Sequence, residues 1–246
     1  MTRPSGSSPA TERRTAVCLL SGGMDSAVAM AEASAAGFRP CALSVDYGQR
    51  HKHELAAAAR VARALGAHDH RTVHVDLRAI GGSSLTDAID VPKDRPHEAI
   101  GVGVPSTYVP ARNTIFLALA LGWAEVLGAR DIFVGVNALD YSGYPDCRPA
   151  FLKAFEDLAA VATAAGAERG ERVKVHAPLI AMGKADIVRR AQELGVDLSL
   201  THTCYDPVEV GQSGNEVLAC GRCDACHLRL EGFRKAGSVD RIAYVR

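Results

Sequence analysis

The sequence has no excess of basic residues, because 28 lysines and arginines are balanced by 28 aspartates and glutamates among its 246 residues. Nucleic-acid binders usually carry such an excess to neutralise phosphates, so the balance argues against RNA or DNA as substrate. No run approaches the roughly 18 apolar residues of a membrane helix. The polar residues 1–14 contain no apolar signal-peptide region. We therefore expect a disordered tail over 1–14 of a cytoplasmic protein without a membrane partner.

Two familiar phosphate-binding motifs are also missing. The pattern GxxxxGK[ST] does not occur, since the Gly-Lys pair at 183–184 is followed by alanine. The stretch GVGVPS at 101–106 lacks the third glycine of a dinucleotide fingerprint and continues into Pro105 instead of a helix. These absences exclude a Walker A loop and a dinucleotide fingerprint.

Short apolar runs alternate with helical patterns along most of the chain. Runs of strand length lie at 15–20, 41–46, 72–75, 131–136 and 173–179. This alternation predicts an α/β fold, a Rossmann-like doubly wound parallel sheet of about five strands with helices on both faces. Residues 80–110 contain four prolines, and we expect a long loop over the active face. The helix at 114–127 is apolar nearly all round, so it is expected to be central and buried, with Asn113 as its N-cap.

The stretch SGGMDS, residues 21–26, lies where the first strand ends and the first helix begins. Ligands of open parallel sheets bind at the carboxyl ends of the strands. The two glycines let the backbone approach a ligand, the two serines offer hydroxyls, and the helix N-terminus supplies free N–H groups. The stretch therefore predicts a polyphosphate site. Asp25 is anionic, so we expect it either to cap the helix or to hold Mg²⁺ on the phosphates.

This stretch resembles the PP-loop motif SGGxDS of the ATP-pyrophosphatase superfamily. Those enzymes cleave ATP between the α and β phosphates, attach AMP to a substrate oxygen, and let a nitrogen or sulfur nucleophile displace it. The resemblance implies ATP with Mg²⁺ as ligand. The candidate ATP-binding residues are Leu20, Ser21, Gly22, Gly23, Met24, Asp25, Ser26, Ala27, Val28 and Asp46.

Two charged residues outside the motif are expected in the same crevice. Asp46 ends the second strand and can hydrogen-bond the ribose or adenine, or help to position metal. Lys184 opens the helix after the fifth strand, so its ammonium can neutralise charge that builds on the leaving pyrophosphate. The alternative for Lys184 is a solvated lysine at a helix start. We predict catalytic roles for Asp25 and Lys184.

Three further stretches are dense in hydrogen-bonding and aromatic groups: DYGQRHKHE at 46–54, YVPARN at 108–113 and ALDYSGYPDCR at 138–148. Such groups suit a flat polar ring, because tyrosine can stack, aspartate can accept from an amidine-like edge and arginine can pair a carboxylate. Together with the PP-loop and the cysteines, they closely resemble the 7-cyano-7-deazaguanine synthase family over residues 15 to about 235.

The family resemblance implies an amide ligase that continues to a nitrile. ATP adenylates the carboxylate of 7-carboxy-7-deazaguanine, ammonia displaces AMP to give the amide, and a second ATP activates the amide oxygen, whose loss leaves the 7-cyano product. The resemblance also implies a homodimer, while the pathway that the product feeds stays open. The implied substrate-binding residues are Arg112, Asn113, Asp140, Ser142, Gly143, Tyr144 and Asp146.

Four of the seven cysteines follow the pattern C-x15-C-x2-C-x2-C near the C-terminus: Cys204, Cys220, Cys223 and Cys226. This spacing predicts a tetrahedral Zn²⁺ site. Since all four ligands are protein groups, the zinc is expected to be structural, and an iron–sulfur cluster is the competing interpretation. We expect residues 199–246 to form a small zinc-binding segment packed on a PP-loop domain of residues 15–198.

Two other functions fit parts of the pattern. A PP-loop tRNA thiolase needs a sulfur-carrying cysteine and usually a basic RNA surface, and the charge balance and DYSGYPDCR count against it. A nucleotide-binding module without turnover is the second alternative. The intact SGGMDS motif, Asp46 and Lys184 count against that reading.

Overall fold

A computed structural model describes residues 13–96, 100, 103–138, 144–210 and 216–245. Five strands form one sheet in the order β3-β2-β1-β4-β5, and every neighbouring pair is parallel. The α/β fold predicted from the alternating pattern is therefore confirmed. The strands are β1 (Thr15–Leu19), β2 (Arg39–Asp46), β3 (Asp69–His74), β4 (Asp131–Phe133) and β5 (Lys174–His176). The predicted disordered tail lies outside the described residues except for its last two positions.

Helices cover both faces of the sheet. They are α1 (Met24–Ala35), α2 (His53–Ala64), α3 (Arg112–Leu127), α4 (Pro149–Ala162), α5 (Ala164–Arg169), α6 (Lys184–Glu193) and α7 (Asp224–Lys235). One apolar core joins the sheet to α1, α2 and α6, and a second joins the opposite face to α3 and α4. In β2 all residues after Arg39 are buried, as expected for a strand covered on both sides.

The strand order places a ligand crevice beside β1. The chain leaves β1 through α1 toward β2 and later returns through α3 to β4, on the other side of β1. Ligands of open α/β sheets bind where the strand order reverses in this way. Gly135, just after β4, approaches the start of α1 so closely that a Cβ there would lie 2.7 Å from the Ser26 nitrogen. The end of β4 therefore meets the SGGMDS stretch at this crevice. Residues 21–26 are called the phosphate loop below.

Two sequence-based expectations about α3 are wrong. The helix is not buried all round: Leu117 and Trp123 pack into the core, but Val126 is 78% exposed. Its apolar residues exceed what one sheet face can cover, so the outer side faces solvent. Asn113 is not the N-cap, because the helix begins at Arg112 and Ala111 occupies the cap position with a φ of +54°. The Asn113 side chain is instead held by the 145–147 segment.

Strands β4 and β5 are shorter than the apolar runs at 131–136 and 173–179 that predicted them. Each strand has three residues, and one further hydrogen bond joins Val134 N to the His176 carbonyl at 2.9 Å before residues 134–136 border the crevice. The described part of the 80–110 segment is irregular, as predicted. It packs Leu85, Val91 and Val109 against the cysteine cluster near the C-terminus.

The C-terminal part of the chain adds a hairpin and α7. The hairpin consists of the antiparallel strands β6 (Val208–Val210) and β7 (Glu216–Leu218). Helix α7 lies against α6, where a Cβ at Gly232 would come within 2.8 Å of the Lys184 Cβ. Among the helices of the described residues, none combines the length and apolar character that crossing a membrane requires.

Candidate active site

The SGGMDS stretch forms a tight loop between β1 and α1. Gly22 has a φ of +88°, and a Cβ there would lie 2.2 Å from the Glu54 carbonyl oxygen, so the position requires glycine. The Ser21 and Ser26 hydroxyls lie 3.0 Å apart. Gly23 is the N-cap of α1, and none of the described side chains caps the helix. The first amides of α1 are thus available to an anion, as in phosphate sites at helix N-termini.

Asp25 does not cap the helix, which removes one of its two predicted roles. Its Oδ2 accepts from Lys184 Nζ at 2.5 Å and from Asn137 Nδ2 at 3.1 Å. The two predicted catalytic residues are therefore brought together by the fold. The other oxygen, Oδ1, is buried without a hydrogen-bond partner among the described residues. An unused carboxylate oxygen beside a phosphate site is a donor of the kind that Mg²⁺ binds.

A cavity of about 270 Å³ opens beside this loop at the carboxyl ends of the central strands. It is lined by eleven of the residues predicted to bind ATP or substrate or to act in catalysis: Leu20, Ser21, Gly23, Met24, Asp25, Ser26, Arg112, Asn113, Tyr144, Asp146 and Lys184. Gly22 is not a lining residue; it packs against the backbone of α2 at Glu54 and Ala58. Ala27 and Val28 lie fully buried in the core. The candidates Asp140, Ser142 and Gly143 lie outside the described residues.

Asp46 ends β2 between two residues that line the cavity, Val45 and Tyr47, but it does not line the cavity itself. Its carboxylate accepts from the Gly48 amide at 3.2 Å, and Lys52 Nζ and His74 Nδ1 each lie 3.2 Å from Oδ2. Burial works to raise the pKa of Asp46, but the Gly48 amide and the Lys52 ammonium outweigh it and hold the pKa below its ordinary value. The fold thus pairs Asp46 with the Lys52 ammonium of its own chain.

Arg112 is part of the cavity wall. Its guanidinium lies 5.8 Å from the Tyr47 ring centroid and 5.9 Å from that of Phe116. Burial raises the pKa of Tyr47 to about 12. Tyr144 and Tyr205 also line this side of the cavity. An arginine set among aromatic rings can pair a planar anion whose ring stacks beside it.

Asn113 and Asp146 join two of the sequence motifs. The Asn113 backbone amide donates to Asp146 Oδ2 at 3.0 Å, and its side-chain amide donates to the Asp146 carbonyl at 3.2 Å and to Cys147 Sγ at 3.1 Å. Asp146 is buried. The pair therefore anchors the start of α3 to the 145–147 turn and places both at the cavity edge.

Sequence reasoning missed two groups that line the cavity. Glu54 ends the DYGQRHKHE stretch, but no motif in the sequence marked this residue as functional. Burial raises the pKa of Glu54 to about 7, against a smaller lowering effect of Arg112. His202 received no role from the sequence. Burial lowers its pKa to about 4, and Nε2 is buried without a hydrogen-bond partner among the described residues.

The four clustered cysteines converge next to the cavity, which Cys204 helps to line. Their Sγ atoms all lie within 4.8 Å of one another, and all four residues are buried. Backbone amides point at the sulfurs, as in the bonds from Cys220 N to Cys204 Sγ at 3.2 Å and from Cys223 N to Cys220 Sγ at 3.3 Å. A tetrahedral Zn²⁺ with bonds of about 2.3 Å sets its sulfurs about 3.8 Å apart. The spacing fits one ion, whereas a cluster of several irons needs wider separation.

Known proteins resemble this chain over nearly its whole length. A family described as "Queuosine biosynthesis protein QueC" matches residues 15–237. A 7-cyano-7-deazaguanine synthase of Geotalea daltonii is 58% identical over 94% of this chain and 97% of its own length. A protein of the same name from Syntrophotalea carbinolica is 59% identical over 95% of this chain and 97% of its own. These matches confirm the resemblance seen in the motifs, and the chain belongs to the QueC family of queuosine biosynthesis proteins.

Proposed function

We propose that this protein converts 7-carboxy-7-deazaguanine and ammonia to 7-cyano-7-deazaguanine at the expense of ATP, with release of AMP and pyrophosphate. The acid is adenylated first, and ammonia displaces AMP to give the amide. The amide oxygen is adenylated in turn, and its departure leaves the nitrile. The names of the relatives support this reaction, as do the three motifs that line one cavity in this chain.

The observation that carries the proposal is the position of the Lys184–Asp25 pair next to the uncapped N-terminus of α1. A nucleotide whose phosphates lie on those amides presents its α-phosphate to the cavity. The Lys184 ammonium can then neutralise charge on the departing pyrophosphate. Oδ1 of Asp25, which is buried and has no hydrogen-bond partner in the described part of the chain, would hold the Mg²⁺ that accompanies ATP.

Substrate recognition is assigned to the wall around Arg112. Its guanidinium can pair the carboxylate of the substrate, with the deazaguanine ring beside Tyr47, Phe116 and Tyr144. Asn113 and Asp146 hold this wall in place through their mutual hydrogen bonds. Asp140, Ser142 and Gly143 remain substrate-binding proposals from the sequence.

We further propose that Cys204, Cys220, Cys223 and Cys226 hold a structural Zn²⁺. The four buried sulfurs supply the complete tetrahedral set, so no ligand position is left for substrate. The metal would tie α7 to the loop 80–110, whose apolar residues pack on the same cysteines. From the sequence we also retain residues 199–246 as the zinc-binding segment, a homodimer, and a cytoplasmic location.

The decisive experiment is mass spectrometry of the product formed from 7-carboxy-7-deazaguanine, ammonium and ATP. The expected product is the nitrile, formed through the amide, with two AMP for each nitrile. A thiolase would instead need tRNA, and a module without turnover would release no AMP. ADP as the main nucleotide product would contradict the proposal.

A further inference from the structure

The proposed reaction removes protons from nitrogen in both half-reactions, and the inference below rests on that proposed function. Attack of ammonia on the acyl adenylate gives a tetrahedral intermediate with an N–H bond to lose before the amide is complete. In the second half-reaction the adenylated amide loses two N–H protons as its C–O bond breaks. A positioned proton acceptor in the cavity speeds steps of this kind.

Most candidate acceptors in the described part of the cavity are already engaged. Asp25 Oδ2 holds Lys184 Nζ at 2.5 Å, and Asp146 accepts from the Asn113 amide at 3.0 Å. His51 Nε2 lies 3.7 Å from the Asp206 carboxylate. Glu54 differs from these groups, because its carboxylate makes no hydrogen bond and no ion pair with the described residues.

Glu54 is also placed next to the phosphate loop. It lies in the first turn of α2, and its own carbonyl oxygen is the atom that a Cβ on Gly22 would strike at 2.2 Å. The start of α2 therefore packs backbone to backbone on the loop that receives ATP. Its side chain lines the same cavity as Ser21, Gly23 and Lys184.

The surroundings of Glu54 suit a base. The charged and titratable neighbours that act on it are the Arg112 guanidinium from α3 and the Tyr47 phenol that follows β2. Burial outweighs the effect of Arg112 and raises the pKa of Glu54 to about 7. A carboxyl group with such a pKa is a stronger proton acceptor than an ordinary glutamate and is still ionised in part near neutrality.

We propose that the Glu54 carboxylate accepts the protons that nitrogen sheds in both half-reactions. In the first, the nitrogen lone pair of ammonia forms the C–N bond, the C–O bond to AMP breaks with its electron pair on AMP, and one N–H proton passes to Glu54. In the second, C–O cleavage again releases AMP, the nitrogen protons leave one after the other through Glu54 to water, and the C≡N bond forms. No redox partner is needed.

The test separates adenylation from capture by nitrogen. Exchange of labelled pyrophosphate into ATP, dependent on the acid, reports adenylation, which requires no proton transfer from nitrogen. Glu54→Gln should keep this exchange within about threefold of wild type. Amide formation from acid and ammonium, and nitrile formation from supplied amide, should both fall about 10²-fold or more. Glu54→Asp, which keeps a carboxyl, should recover part of both rates.

Glu209→Gln is the matched control. That carboxylate is 58% exposed, pairs with His53 from the same end of α2 and lies outside the cavity, so wild-type rates are expected. Parallel loss of exchange and of amide formation in Glu54→Gln would make Glu54 a substrate-holding residue and overturn the inference. Unchanged amide formation would overturn it too, as would finding the selective loss in His202→Gln instead. Wild-type protein without acid-dependent exchange would overturn the proposed function itself, and this inference with it.

Discussion

Lys184 Nζ donates to Asp25 Oδ2 at 2.5 Å across 159 positions of sequence. Asp25 lies in the first turn of α1 and Lys184 begins α6, so the contact joins the N-termini of two helices that border the cavity. Both side chains are largely shielded from water, with 15% and 21% exposure. Shielding strengthens the attraction between the two charges, and the pair holds the Lys184 ammonium beside the first turn of α1.

Lys184→Ala should slow both half-reactions, acid to amide and amide to nitrile, because both expel pyrophosphate at the same site. We expect a loss of about 10²–10³-fold in kcat, as for removal of one group that stabilises transition-state charge. The measurement is AMP release with the acid and, separately, with the amide. Lys153→Ala is the control, since Lys153 is 64% exposed and pairs with Asp157 on the surface of α4. A variant that lost only the first half-reaction would contradict a shared site.

Gly22→Ala should lower both stability and activity. The new Cβ would lie 2.2 Å from the Glu54 carbonyl and 2.7 Å from the Ala58 nitrogen, so α2 must move away from the phosphate loop. Gly37→Ala provides the comparison, because Gly37 has a similar φ of +85° with nothing within 4 Å of its Cβ position. That control carries only the left-handed strain of about 1–2 kcal/mol. Chemical denaturation should show a distinctly larger loss for Gly22→Ala, and equal losses would exclude the clash.

Glu54→Gln should change how stability depends on pH. A carboxyl whose pKa rises from 4.5 unfolded to about 7 folded binds its proton more tightly in the native state. Its contribution to the free energy of unfolding therefore falls as pH rises from about 4.5 to 7 and stays low above that. Relative to wild type, the free energy of unfolding of Glu54→Gln should rise by at most about 2.5 kcal/mol between pH 5 and pH 8. Denaturant titrations across that range measure the gain, and a difference independent of pH would refute the shift.

Removal of the metal from the cysteine cluster should unfold the C-terminal segment. Metal analysis is expected to give one zinc per chain and no iron. Cys223→Ala should lower the melting temperature and solubility together with activity, since metal binding is part of the folding free energy. Cys41→Ala removes a buried thiol outside the cluster and should keep the zinc. A soluble, active and zinc-free Cys223→Ala protein would contradict the assignment.

Local sequence determined most of the architecture. The apolar runs at 15–20 and 41–46 lie in β1 and β2, and Gly37 and Gly66 follow α1 and α2 with φ values of +85° and +67°. Strands and helix ends depend on residues that are close together in the chain. Apolar periodicity and the preference of glycine for helix ends therefore identify them. The phosphate-loop stretch and the cysteine spacing were recognisable for the same reason, because their groups are close together in the chain.

Tertiary structure decided which of those groups act together. The Asn113 side chain, by local rules a helix cap, instead bonds the Asp146 carbonyl and Cys147, more than thirty residues away. Glu54 gave no signal in the sequence, since its raised pKa arises only where α2 packs on the phosphate loop and reduces the contact of the carboxyl with water. Burial and electrostatic pairing arise from residues that are distant along the chain, and periodicity carries no information about such distances.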